Sequence, residues 1–478
     1  MVPDRFAPAL AELAPIAERF AAAGHRLYLV GGSVRDLLAD RTGDDYDFDF
    51  TTDARPPQIK QCLSGIADHL WTQGERFGTI GARIGERTYE ITTFRAEAYA
   101  DDSRKPHVTY ADDVEVDLGR RDFTVNAMAL EVTGGSTPTL IDPFGGAVDL
   151  LARTLRTPLG PDVSFSDDPL RMLRAARFIA GFDLEPAPEL TAAVEAMGER
   201  LSIVSPERIR DELDKLMTLP HPGRGLWFLH DTGLSDQFLP ELSALRLEHD
   251  PIHRHKDVLS HTIAVVENVR PLSEQGPDPL GRPREFDFRI VRLAALFHDV
   301  GKPRTRGYQP GKGTTFHHHD AVGARMTRQR MTALRYSNDD VESVTELVAL
   351  HLRFHTYRLG WSDSAVRRYV RDAGPLLAEL NMLTRADCTT RNERKAKQLS
   401  DRMDDLERRI AALAEQEELA SIRPELDGRQ VMERLGLPPG PVVGEALAFL
   451  LDLRLDEGVV GEDEAGRRLD EWYRARTA

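Results

Sequence analysis

The chain has 478 residues, 41% of them hydrophobic and 29% charged, the balance of a water-soluble globular protein long enough for about three to four domains. Two cysteines, Cys62 and Cys388, exclude a disulfide framework and point to a reducing compartment, and no apolar run approaches the roughly 20 residues needed to cross a bilayer. A net charge of −16 tells against indiscriminate coating of nucleic acid and leaves room for a local basic face.

Residues 1–25 place Leu10, Leu13, Ile16, Ala17 and Phe20 at helical spacing and predict an amphipathic helix. Asp4, Arg5 and Glu12 within that run argue against a secretory signal, so a cytoplasmic location is expected. From 27 to 155 short apolar runs alternate with turn residues: Leu27–Val30, Phe48–Phe50, Thr79–Ile84, Tyr89–Phe94 and Ala127–Val132 predict a mixed sheet with few helices. From about 166 onward the pattern is nearly all helical, and a helix is expected to hold Asp167 and Asp168 in its first turn, at the positive end of its dipole. Pro271–Pro283 reads as an exposed loop, Asp401–Leu419 as a charged helix, and residues 436–441 as a break before a last helical stretch. The fold class expected is α+β, a small head followed by a long helical body. Arginine and lysine clusters at 171–177, 325–335 and 391–397 read one by one as solvated helix faces.

Two constellations carry chemistry. In the head, Gly31-Gly32-Ser33-Val34-Arg35-Asp36 follows a strand, and two glycines there let the backbone approach a ligand while the helix start offers amides to phosphate. In Asp47-Phe48-Asp49-Phe50 the two carboxylates share one strand face and the phenylalanines the other. Carboxylates that close call for a cation between them, and hard oxygen ligands suit Mg2+ together with substrate phosphates. Glu90, on a later strand, is a candidate third carboxylate. If the string Arg120-Arg121-Asp122-Phe123-Thr124-Val125-Asn126 opens a helix, Asp122 and Asn126 share a face where they can bond ribose hydroxyls. In the body, His261, His298-Asp299, His319, His351 and Asp387 are spread over helical pattern.

Taken in order, Gly-Gly-Ser-Val-Arg-Asp, Asp-Phe-Asp, Arg-Arg-Asp-Phe-Thr-Val-Asn-Ala-Met and Asp167-Asp168-Pro169-Leu170-Arg171 resemble the class II tRNA nucleotidyltransferase and bacterial poly(A) polymerase family over about residues 25–240. The resemblance implies a polymerase-beta-type head (1–158), a helical neck with a base-template helix (159–250), an HD-type metal-binding body (251–400) and a tail that contacts tRNA (401–478). It implies transfer of CMP and AMP from CTP and ATP to a tRNA 3′ hydroxyl, with Mg2+ and release of pyrophosphate. Carried over, Asp47 and Asp49 hold the catalytic Mg2+, and Gly31, Gly32 and Arg35 hold the triphosphate. Asp122 and Asn126 read the ribose, Asp142 and Gly146 match the head-to-neck connection, and Asp168 and Arg171 act as an amino-acid template, with Arg174 and Arg177 as further nucleotide contacts. The spacing of Asp168 and Arg171 would put both on one helix face, able to read the Watson–Crick edge of one base. The family's template usually begins Glu-Asp, and Asp167 departs from it.

The stretch Ala96–Gly119 is long enough to be the flexible loop that the resemblance implies for full CCA-adding members, and the basic string that poly(A) polymerases carry after the aspartate pair is absent. Both favour CCA addition over poly(A) synthesis or partial addition. The second constellation resembles the HD phosphohydrolase module, with His261, His298, Asp299 and Asp387 as ligands of one divalent metal (Mn2+, Ni2+, Fe2+ or Zn2+) and His319 and His351 as accessory residues. The expected partners are tRNA, CTP and ATP, without membrane or DNA, in a monomer or homodimer. A reading of another class makes HD hydrolysis the main activity and the head a nucleotide sensor.

Overall fold

Side-chain alternation sets the sheet in the first half of the chain. The computed structural model describes residues 6–41, 48–98, 107–133, 138–247, 257–310, 313–354, 361–390, 392–416 and 422–477, and its backbone divides into two units, Met1–Pro240 and Glu241–Ala478. In the first, β1 (Leu27–Val30), β2 (Phe48–Thr52), β3 (His69–Trp71), β4 (Thr79–Ile84), β5 (Arg87–Thr93), β6 (Arg95–Ala98), β7 (His107–Tyr110), β8 (Ala129–Glu131) and β9 (Thr139–Ile141) follow in chain order; β1, β2, β4, β5 and β8 fall on the expected runs, whereas β3, β6, β7 and β9 lie outside them. Seven of them form one mixed sheet in the order β3-β4-β5-β2-β1-β8-β9. β1 is antiparallel to β2 and β8, whereas β2 runs parallel to β5, with Asp49 opposite Glu90.

Phe48 and Phe50 are buried and Asp49 between them is exposed, as the two-residue strand period requires. The Phe48 ring stacks on Tyr89 at 5.8 Å, a pair worth about 0.5–1.5 kcal/mol beyond its buried area. Helix Ala7–Ala22 lays Leu13, Ile16 and Phe20 on this core, as its spacing predicts. Tyr28, Val30, Phe94, Leu118 and Ala127 form a second cluster. β6 and β7 pair as a separate hairpin within the stretch expected to be a flexible loop.

Two local expectations are corrected. Asp122–Asn126 is not on an α-helix: Phe123 is extended (φ −133°, ψ 153°), and a single tight turn covers Thr124–Asn126. Phe123 is fully buried against the Phe178 ring at 5.1 Å, and reaching that site straightens the chain. Asp167 and Asp168 do not lie in the first turn of the helix that carries Arg171. Asp167 ends helix Pro161–Asp167, Asp168 is extended (φ −142°, ψ 100°), and the next helix is Leu170–Phe182. Pro169 explains this, because the residue before a proline is pushed out of the helical region.

Among the described residues the second unit is mainly helical, with one departure: Arg306–Gln309 and Gly313–Phe316 pair as antiparallel strands inside the body. Helix Glu393–Gln416 covers most of the expected charged stretch. Gly436 closes helix Gly428–Leu435 in the left-handed region (φ 66°), and Val431, Val443, Leu450 and Leu469 form a small core of the last helices. Among the described residues no helix is long and apolar enough to cross a membrane.

Gly146 begins a short helix whose first amides, Gly146 and Ala147, donate to Asp142 at 2.6 and 2.9 Å. A Cβ at Gly146 would overlap the Thr124 carbonyl oxygen and press on Met128. Gly146→Ala should therefore lower unfolding free energy by about 1–3 kcal/mol, read as a lower urea midpoint. Gly444→Ala, in a helix with nothing within 4 Å of the added carbon, should leave the midpoint unchanged or raise it.

Candidate active site and metal cluster

The glycine turn and the strand carboxylate meet. Gly31 leaves β1 with φ +69° and starts helix Gly32–Leu38, a conformation that favours glycine. A Cβ on Gly31 would stand 3.2 Å from Arg121 Nη1 and 3.9 Å from Asp49 Oδ2. The turn, a guanidinium and an exposed carboxylate thus share one small space, with Glu90 on the strand beside Asp49. Asp47 lies outside the described residues.

Buried acids hold the arginine string. Asp117, fully buried, accepts from Arg120 Nη2 at 2.8 Å, Arg121 Nη2 at 3.3 Å and Thr51 Oγ1 at 3.1 Å. Burial acts to raise its pKa, but the two arginine charges outweigh it and the net shift is downward. Asp122 accepts from Asn126 Nδ2 at 3.0 Å, from the Phe123 amide at 2.8 Å and from Arg174 Nε at 2.9 Å. Asn126 in turn accepts from Arg35 Nη1 at 2.6 Å. Arg174 reaches Glu212 at 3.4 Å, and Arg177 Nε donates to the same carboxylate at 2.8 Å. A continuous polar chain therefore runs Arg35, Asn126, Asp122, Arg174, Glu212, Arg177. Asp122 and Asn126 come together as expected, whereas the donors of Arg35 and Arg174, and Nε of Arg177, are engaged within the protein. Arg35 also pairs with Asp36 and lies 4.0 Å over the Phe182 ring.

Asp168 and Arg171 open into one cleft of about 970 Å3, lined also by Trp71, Phe77, Glu90, Arg120 and Arg208. Asp168 accepts from the Leu170 amide at 3.1 Å and from Arg208 Nη2 at 2.7 Å. Arg171 donates to Ser164 Oγ at 2.9 Å and to the Arg120 carbonyl at 2.5 Å. Sequence reading missed Trp71, Asp117, Arg208 and Glu212. Trp71 is a large aromatic on a short strand whose three residues are all exposed; Asp117 left a signal in its spacing of three and four to Arg120 and Arg121, whereas Arg208 and Glu212 show only through long-range pairing.

In the second unit the ends of five helices converge. His261 sits in the first turn of Val258–Asn268, His298 and Asp299 follow Phe288–Phe297, His319 starts His319–Ala333, His351 follows Asn338–Leu350, and Asp387 follows Leu377–Ala386. The four expected ligands are together: His261 Nε2 lies 3.0 Å from Asp387 Oδ1 and 3.6 Å from Asp299 Oδ2, and His298 Nε2 lies 3.2 Å from Asp299 Oδ2. Donors about 2.0–2.2 Å from one ion stand roughly 3–3.6 Å apart, so this imidazole and carboxylate set fits a divalent first-row cation. His319 and His351, read as accessory, belong to the same cluster. Lys302 Nζ stands 2.6 Å from Asp299 Oδ2.

Residues 27–156 match the family described as poly A polymerase head domain, 181–245 the probable RNA and SrmB-binding site of polymerase A, and 258–417 the HD domain. The chain is 36% identical over 453 residues to the A-adding tRNA nucleotidyltransferase of Deinococcus radiodurans, covering 93% of this chain and 95% of that protein. It is 39% identical over 237 residues to the CCA-adding enzyme of Lactobacillus johnsonii, covering 49% of this chain and 56% of that one. The solved CCA-adding enzyme of Bacillus stearothermophilus in complex with CTP superposes with a TM-score of 0.69 at 24% identity over 99% of each chain, a likeness of fold.

Asp122 offers a test of the polar chain. Burial raises its pKa, yet Arg174's charge and the hydrogen bonds from Asn126 and Arg174 bring it down from 3.8 to about 2. A depressed folded-state pKa contributes stability above the unfolded value that is lost as pH falls through the folded one, here between about pH 4 and pH 2, and it amounts to about 2 kcal/mol. Asp122→Asn should remove that part of the acid dependence, seen as a flatter plot of urea midpoint against pH below 4.

Proposed function

The chain belongs to the family of tRNA nucleotidyltransferases and poly(A) polymerases that carry an HD domain, and is an enzyme; from that premise we propose that it adds CMP, CMP and AMP from CTP and ATP to the 3′ end of tRNA. One observation carries the reading. The Asp49 carboxylate stands beside the Gly31 turn and opposite Glu90, and Glu90 shares a cleft with Asp168 and Arg171.

The residues then take these parts. Asp47 and Asp49, with Glu90 beside them, would hold Mg2+, which when bound stabilises charge on the attacking and leaving oxygens of an in-line phosphoryl displacement. The ribose 3′ oxygen bonds to the α-phosphorus, the bond from that phosphorus to the bridging oxygen breaks, pyrophosphate leaves and the hydroxyl proton passes to solvent. Gly31 and Gly32 give the triphosphate access to backbone amides. Asp122 and Asn126, held by Arg35 and Arg174, present the ribose contact. Asp168 offers an acceptor and Arg171 a donor fork to the base, exchanging Arg208 and the Arg120 carbonyl for it. A small rotation of this pair would serve C first and A later.

The hairpin of β6 and β7, in the loop segment that full CCA-adding members need, supports complete addition. A second reading, addition of the final A alone, is favoured by the Deinococcus relative, which aligns over nearly the whole chain and bears that name. We propose further that the HD cluster binds a divalent metal and hydrolyses phosphate esters at RNA ends, such as 2′,3′-cyclic or terminal phosphates.

The deciding assay offers labelled CTP and ATP to tRNAs ending before CCA, after C and after CC, and reads product length. The expected product is the full CCA end from all three. Extension of only the last tRNA would mean A addition, and a long A tail would mean poly(A) synthesis. Asp49→Ala should lower the addition rate by about 10^3-fold or more, since metal stabilisation of the transition state is worth several kcal/mol, while filter binding of tRNA changes little. Arg171→Ala should blur the choice among CTP, ATP, GTP and UTP, measured as the ratio of kcat/KM values; an unchanged ratio would remove Arg171 from base recognition.

A further inference from the structure

The segment after the His298-Asp299 pair carries charge opposite to that of the chain. From Lys302 to His318 the sequence has Lys302, Arg304, Arg306 and Lys312 and no aspartate or glutamate, in a protein of net charge −16. Lys302–Thr305 is one short helical turn, and Arg306–Gln309 and Gly313–Phe316 then pair as two antiparallel strands that join no other sheet among the described residues. Their side chains stay outside the buried core. Burying so little, the pair adds little to stability, and its side chains are open to a partner.

Residues two apart on a strand share a face, and so do residues directly opposite. Arg306 and Tyr308 are therefore side by side, with Phe316 across from Arg306 and Thr314 across from Tyr308. At about 3.4 Å per residue, Arg306 and Tyr308 stand about 7 Å apart along the strand. Tyr308 is 65% exposed, the most exposed aromatic among the described residues. Arg304 and Arg306 are exposed as well, and among the described residues neither side chain has an ion-pair or hydrogen-bond partner.

The foot of the pair is fastened to the histidine and aspartate cluster. His319 Nδ1 donates to the Phe316 carbonyl at 2.8 Å, and Lys302 Nζ lies 5.8 Å over the Phe316 ring and 2.6 Å from Asp299 Oδ2. A row of groups thus leads from the cluster through Lys302 and Phe316 to Arg306 and Tyr308. Guanidiniums beside an exposed aromatic suit a single strand of nucleic acid: each guanidinium takes a backbone phosphate, and the ring stacks on a base that no complementary strand covers. A duplex hides its base faces and would leave Tyr308 unused.

We propose that Arg304, Arg306 and Tyr308 grip an unpaired RNA 3′ end and direct its terminal phosphate toward the cluster, the arginines on phosphates and Tyr308 on a base. The direction rests on reading the second unit as a phosphohydrolase of RNA ends, and the test separates the two.

The probe is a uridine pentanucleotide carrying 4-thiouridine and a 3′-phosphate, irradiated with the full-length chain. Mass spectrometry locates the cross-linked peptides. The RNA concentration that half-saturates cross-linking within residues 302–316 gives the Kd of that surface alone, read at several salt concentrations. Cross-links within the segment are expected. Arg306→Ala should lessen the slope of log Kd against log salt by about 0.7, the share of one phosphate on a single strand. Tyr308→Ala should raise Kd about fivefold or more, whereas Tyr308→Phe, which keeps the ring, should leave it unchanged; circular dichroism confirms that the variants fold. Cross-links confined to the first unit, or a Kd indifferent to both alanine variants, overturn the proposal. A Kd that follows Arg306 and ignores Tyr308 overturns the single-strand reading. The same pentanucleotide ending in a 2′,3′-cyclic phosphate, offered with Mn2+, tests hydrolysis apart. Cross-linking at the segment without hydrolysis removes the hydrolase and keeps the RNA surface; hydrolysis without cross-linking there does the reverse.

Discussion

The buried pairing of Asp122 with Arg174 is the interaction on which the first unit depends. It ties the segment that follows the arginine string to the helix that carries Arg171. Through Asn126 it reaches Arg35 beside the glycine turn, and through Arg174 it reaches Glu212 on helix Pro206–Met217. Breaking a buried ion pair by removing one partner leaves an unpaired charge, a penalty of about 3–5 kcal/mol. The chain of contacts therefore fixes where Asp122, Asn126 and Arg171 stand relative to the glycine turn. Several arginines that look available for a triphosphate are spent on that positioning.

The second unit meets a related demand with different atoms. Its cluster is assembled from helix ends, where free backbone carbonyls are plentiful. Three of its histidines each use the carbonyl three residues earlier as a tether. The ring direction is thereby set locally, inside one turn of chain, and only the meeting of the helices is left to tertiary packing.

What the sequence made legible follows strict periods. The exposed Asp49 between buried Phe48 and Phe50, the apolar stripe of the first helix, and the His-Asp pair closing an apolar helix were all readable, because each depends on neighbours in the chain. What was missed depends on distant partners. Phe123 pulls its segment straight to reach Phe178, and Pro169 parts Asp168 from the helix that its spacing to Arg171 suggested. The hairpin Arg306–Phe316 is rich in glycine and polar residues and carries a weak strand signal. The roles of Arg174 and Arg177 were illegible for another reason: an arginine at helical spacing looks the same whether it awaits phosphate or faces a buried glutamate such as Glu212.

That hairpin leaves the chain just after Asp299 and returns just before His319. At its base Gly301 passes so near the next helix that a Cβ would overlap the His319 carbonyl, and the Gly323 amide lies on the same side. The excursion is thus closed at its foot by a backbone-to-backbone weld requiring bare glycine. Foreign peptide spliced in after Gln309 would join the chain on the outer side of this weld, sparing the histidine and aspartate cluster at its foot.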